Sequence, residues 1–123
     1  MSVKKSSAGF IATKSEWAKR LNNTATSDYL VAFDNAECLI EYWALRVPDT
    51  QGPHDRDEAY ILIAGNGDFN MNGEERAVEV GDMIFVPAGT PHRFTRFSTD
   101  LAMWIVFFGP HHEEFKQWRG KEY

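Results

Sequence analysis

The 123-residue chain has one cysteine, Cys38, and therefore no internal disulfide. This excludes a disulfide-stapled secreted scaffold and fits a reducing compartment. Long apolar runs are missing too: no stretch approaches the roughly 18 residues that a membrane-crossing helix needs. The N-terminal "MSVKKSSAGFIATK" carries only a short apolar patch, too short for the core of a signal peptide. The expectation is a cytoplasmic protein with no membrane partner. Positive charge is sparse, with 13 Lys and Arg against 18 Asp and Glu, and no basic cluster is present to track a phosphate backbone. Nucleic acid is excluded as the expected partner. Neither a repeat nor a low-complexity linker divides the chain, and its length suits one domain with one core.

What is plentiful is aromatic residues: nine Phe, four Trp and four Tyr. They recur within short β-branched and aromatic runs punctuated by turn residues, the pattern of strands. Strands are expected near 29–34, 37–47, 59–64, 68–72, 75–79, 82–86, 92–97 and 101–109. "DNAE" at 34–37 reads as a turn, "PDTQGP" at 48–53 as a loop and Asn72-Gly73 as a tight hairpin. Helix signals occur only at the ends. Ser15 reads as the cap of "SEWAKRLNN", with Trp17 and Leu21 on one face, and Pro110 opens "HHEEFKQWRG". The domain reading is an N-terminal arm with a short helix over 1–28, an all-β barrel or sandwich over 29–110, and a C-terminal helix packed on it over 111–123. His111 and His112 read as surface residues and Cys38 as a small buried hydrophobe. The acidic stretch "DRDE" at 55–58 reads as solvated apart from Glu58.

The chemistry sits in two stretches. In "GDMIFVPAGTPHRF", residues 81–94, Gly81 is followed after five residues by Pro87, then by Gly89 and, two residues later, His92. In "GPHDRDEAYILIAG", residues 52–65, His54 precedes Glu58, and six residues separate Glu58 from Gly65. The first of these resembles the second signature of the cupin family, G-x5-P-x-G-x2-H-x3-N, at every fixed position except the last, where Arg96 stands. The other resembles the second half of the first cupin signature, G-x5-H-x-H-x3-4-E-x6-G. Gly52 occupies the place of its first histidine and Arg46 that of its opening glycine. Fifteen residues lie between Gly65 and Gly81, a spacing found in compact cupins, and the resemblance covers roughly residues 38–109.

The resemblance implies a cupin-type jelly roll and a metal held by His54, Glu58 and His92, with one of the family's four usual ligands missing. Gln51 stands beside the vacant position and offers an amide oxygen, while water is the simpler fourth ligand. Two imidazoles and a carboxylate are the donor set used for non-haem iron(II), and zinc, nickel or manganese also accept it. Strand alternation from Glu58 and His92 places Tyr60, Leu62, Phe94 and Arg96 inside the barrel. Tyr60 is then a candidate proton-transfer residue, and Arg96 a clamp for a small carboxylate or phenolic substrate. A dioxygenase-like enzyme is the first functional reading. A redox-neutral isomerase or lyase and a non-catalytic module binding a small ligand such as a sugar acid are the others. A homodimer is expected, because open sheet edges need covering and "GFIATKSEWAKRL" is long enough to reach a second copy.

Overall fold

The computed structural model describes residues 8–24, 28–49 and 52–112. Within them, one helix, α1 (Lys14–Asn22), precedes eight strands. These are β1 (Tyr29–Asp34), β2 (Cys38–Trp43), β3 (Asp57–Ala64), β4 (Asn66–Met71), β5 (Glu74–Glu79), β6 (Met83–Val86), β7 (His92–Phe97) and β8 (Ala102–Phe108). All pairings are antiparallel, in a five-stranded sheet of order β1-β2-β8-β3-β6 and a three-stranded sheet of order β5-β4-β7. Tyr60, Leu62, Ile84 and Ile105 of the larger sheet meet Phe69 and Phe94 of the smaller in one buried cluster, so the two sheets enclose a jelly-roll core.

Local chemistry explains the turns. Asn72 and Gly73 both have positive φ, 53° and 91°, as a tight hairpin between β4 and β5 requires. The Asn35 side chain accepts from the amides of Glu37 and Cys38, closing the β1–β2 turn. Gly65 is required for a different reason: a Cβ there would sit 2.7 Å from the Leu101 Cα, and its φ is +75°.

The expected strands are all present, with moved ends. The long 37–47 run stops at Trp43, after which Leu45 turns into the core from a loop. α1 lies on the outside of the larger sheet as expected, its Trp17 and Leu21 buried against Tyr42 and Ala102. Its cap is Thr13 rather than Ser15: the Thr13 hydroxyl accepts from the Glu16 amide at 3.3 Å, and Ser15 falls inside the first turn. The helix expected over 111–123 lies almost entirely outside the described residues.

One register detail reorganises the site. In the β4–β7 pairing Phe69 faces Phe94 and Asp68 faces Arg96, leaving Thr95 without a partner across the ladder. A bulge adds a residue to one strand and shifts its alternation. His92 and Phe94 therefore point inward, whereas Arg96, expected inward by simple period two, is exposed. It pairs with Asp68 through Nε at 2.9 Å, with its side chain 54% accessible.

Candidate metal centre

The larger sheet supplies Glu58 near the start of β3, and the smaller sheet supplies His92 at the start of β7. His54 comes from the loop ahead of β3. The Nε2 atoms of both histidines approach the same Glu58 Oε2, His92 at 3.3 Å and His54 at 3.4 Å. One donor atom from each of the three residues lies within 4.8 Å of the others, a grouping able to hold a metal ion. The two imidazole rings are 5.2 Å apart, and His54 stands edge-on to Phe107 at 5.1 Å.

The ligand loop is tied down on both sides. The Gly89 amide donates to the His54 carbonyl at 2.8 Å, and the Ala88 amide to Asp57 Oδ1 at 2.9 Å. The turn built by Pro87 and Gly89 thus fixes the position of His54 as well as launching His92. On the other side the His112 amide donates to the Asp55 carbonyl at 2.8 Å, and His111 Nδ1 pairs with Asp55 Oδ2 at 2.8 Å. Asp55 and Arg56 are buried, which corrects the reading of "DRDE" as a solvated stretch. The segment after β8 folds back over them, a contact 56 residues away in sequence.

His92 Nδ1 lies 2.8 Å from the Thr90 carbonyl oxygen. A carbonyl only accepts, so Nδ1 carries the proton and the Nε2 lone pair is turned toward Glu58. Fixing the tautomer of a ligating imidazole in this way is what metal sites require. Glu58 has no measurable exposure, and both of its oxygens, like His92 Nε2, are sealed without a hydrogen bond. Such orphaned polar atoms in a core are costly unless something occupies the space between them. A divalent cation fits this donor set. Burial pushes the Glu58 carboxyl above its ordinary range, against the opposing pull of His92 and the Tyr60 hydroxyl. Burial by itself lowers the proton affinity of His92, but its contacts with the Glu58 carboxylate outweigh that and raise it. The two shifts have one origin, a carboxylate and an imidazole confined together away from water.

The chain belongs to the cupin family. The family model for the cupin domain matches residues 46–108, which contain all three donors. An uncharacterized protein of Streptomyces coelicolor is 37% identical over 62 residues, covering 50% of this chain and 59% of that protein. The acireductone dioxygenase of Gluconacetobacter diazotrophicus is 34% identical over 67 residues, covering 43% of this chain and 37% of that enzyme. The chain thus spans less than two thirds of the length of these curated relatives. Among solved structures, a cupin-2 domain from Rhodospirillum rubrum superposes with a TM-score of 0.58 at 18% identity, over 68% of this chain and 60% of that one. That likeness concerns the fold.

Around the donors the cupin barrel is aromatic. Tyr60 is 1% exposed and stands perpendicular to the His92 ring at 6.0 Å, while Phe69 and Phe94 stack edge-on behind it at 4.9 Å. Tyr60 is therefore beside the donors, as strand alternation anticipated. Arg96 is not: the bulge at Thr95 has turned it to the surface beside Asp68. Gln51, the amide weighed for the vacant ligand position, lies outside the described residues.

Sequence reading passed over Glu41. It faces inward from β2, in a row across the sheet with Ile105 of β8 and Tyr60 of β3, and is buried. Its Oε1 accepts from Trp43 Nε1 at 2.7 Å. Burial raises its pKa from 4.5 to about 7, with a smaller contribution from the Glu58 charge. The signal was present in "CLIEYW", where Leu39, Glu41 and Trp43 share a face: a carboxylate in the middle of an apolar alternation marks an ionisable group held inside.

Proposed function

We propose that this cupin is a metal-dependent enzyme of dioxygenase type, taking a small carboxylate or phenolic compound, with iron(II) as its first metal and zinc, nickel or manganese as alternatives. The observation that carries the reading is the donor set: among the described residues two imidazoles and one carboxylate converge amid aromatic side chains, fewer protein ligands than a closed structural site uses. A bound ion of this kind supplies Lewis acidity and, for iron, open positions at which an organic substrate and oxygen meet. The rest falls to side chains. His54, Glu58 and His92 hold the ion, Thr90 orients His92, and Phe69, Phe94 and Phe107 exclude water. Tyr60, within the same pocket, is placed to hold or move a proton. The similarity to an acireductone dioxygenase supports oxidation as the reaction class.

Glu41 favours a second reading, a redox-neutral isomerase or lyase. A carboxyl that titrates near 7 inside the barrel suits proton transfer without oxygen. Two measurements separate these readings. Untagged protein prepared without chelators is analysed for metal beside His92→Ala, and the iron(II)-loaded protein is then titrated anaerobically with nitric oxide. Stoichiometric metal that vanishes in the variant, with a nitric oxide adduct in its electron paramagnetic resonance spectrum, supports the oxygen-using enzyme; oxygen uptake with a panel of small enols and phenols then seeks the substrate. Metal without an adduct favours the redox-neutral reading. No metal in either protein after reconstitution sinks both and leaves a ligand-binding module.

For assembly we propose a homodimer in the cytoplasm. Sedimentation at micromolar concentration should give twice the 14.1 kDa chain mass, and a monomer there removes the proposal.

A further inference from the structure

Among the described residues, no carboxylate lies within ion-pair distance of Arg56. Arg56 precedes β3 between His54 and Glu58, is 6% exposed, and its Nε donates to the Gly109 carbonyl just past β8 at 3.2 Å. Its Nη2 is sealed from solvent with no hydrogen-bond acceptor. The acids beside it are otherwise engaged: Asp55 with His111, Asp57 with the Ala88 amide, and Glu58 between the two imidazoles. Among the described residues Arg56 forms no ion pair. A guanidinium is permanently charged, and a buried charge without a partner is among the most costly arrangements a fold can keep. Retaining one at the end of the barrel that carries the metal donors implies an anion that joins it.

We infer that Arg56 is the anion-binding group of this pocket and takes a carboxylate of the substrate. The inference rests on the reading of the barrel as a small-molecule site, and it transfers to Arg56 the role that simple alternation gives to Arg96. Arg56 lies in the bend immediately before β3, two residues from Glu58 in sequence. The ligand this placement suits is a molecule of a few carbons, with its carboxylate on Arg56 and its other end toward the donors. The planar fork of the guanidinium matches a carboxylate's two oxygens, and in a site shielded from water such a pair is short and strong. Phosphate offers the same oxyanion chemistry, so the test separates the two.

Wild type, Arg56→Gln and Arg56→Met are melted in the metal-free and metal-loaded forms, alone and with millimolar oxalate or inorganic phosphate, and oxalate affinity is measured by calorimetry. Without anion both variants are expected to melt several degrees above wild type, because an uncompensated charge has been removed, whereas loss of a merely structural arginine lowers the melting point. Oxalate should raise the melting point of wild type alone, and its Kd should weaken at least tenfold in both variants while metal content stays equal. The metal-free arm makes the two readings fail separately: oxalate binding that depends on Arg56 in protein unable to take up metal would leave this inference standing and remove the enzyme proposal. Equal oxalate affinity in all three proteins, no oxalate effect on wild type, or variants that melt lower with and without anion would each overturn it. Stabilisation through Arg56 by phosphate but not by oxalate would overturn the assignment to a carboxylate.

Discussion

The five-stranded sheet buries two clusters, one on each face, and they differ in kind. Outside, Trp17 and Leu21 of α1 cover Tyr42 and Ala102, with Trp104 edge-on to both Trp17 and Tyr42 at 6.0 and 5.2 Å. Inside, the barrel packs Tyr60, Leu62, Phe69, Phe94 and Ile105 but also seals in Glu41, Glu58 and His92. Strand β2 shows the contrast within two residues, since Tyr42 serves the outer cluster and Glu41 faces the inner one. Apolar side chains would fill the inner positions at less cost. Ionisable groups kept there at the expense of stability are what the proposed metal site would need, whereas the outer face packs α1 on the sheet.

This contrast is testable from both sides. The largest effect is expected at the inner donors: His92→Ala should weaken metal binding by roughly 4 kcal/mol, about a thousandfold, since one of three donors is lost. Competition against a metal indicator reads this directly, and unchanged affinity would show that the donors do not act together. On the outer face Trp17→Ala should cost about 3 to 4 kcal/mol in denaturant unfolding and leave metal affinity alone. A change in metal affinity there would mean that the faces are coupled through β2 and β8. Glu41 comes next. The folded protein keeps its proton up to about pH 7, whereas the unfolded chain releases it near 4.5. Its contribution to stability is therefore complete below about 4.5 and is lost as pH rises through about 7, on the order of 3 kcal/mol in all. Glu41→Gln keeps an acceptor for Trp43 and should abolish that slope in metal-free protein; an unaltered pH profile would place the titration elsewhere. The smallest effect is expected at Arg96→Ala. Its pair with Asp68 is exposed, so metal affinity and melting point should stay within error of wild type, and a loss of metal or substrate binding would restore Arg96 to the site.

How much of this was legible in the sequence depended on the range of the forces involved. The Asn72-Gly73 hairpin, the Pro87–Gly89 turn and the strand positions follow from dihedral preference and alternation, which act over a few residues. The donors His54, Glu58 and His92 were legible through the resemblance of their two stretches to the cupin signatures. Arg96 was misplaced because alternation holds only while the ladder is regular, and a bulge shows itself only once β7 pairs with β4. The burial of Asp55 and Arg56 was hidden for the same reason: what covers them is the chain more than fifty residues further on.

The sequence by itself therefore determined an antiparallel β protein, since residue-by-residue preferences and a two-residue period suffice for that, and its resemblance to the two cupin signatures singled out His54, Glu58 and His92. Only the tertiary structure decided which side chains meet around Glu58, that Glu41 and Arg56 are buried ionisable groups and that Arg96 is a surface one. Burial and electrostatic pairing are properties of neighbours in space, and no local pattern encodes the approach of β2, β7 and the segment past β8 to one end of the barrel.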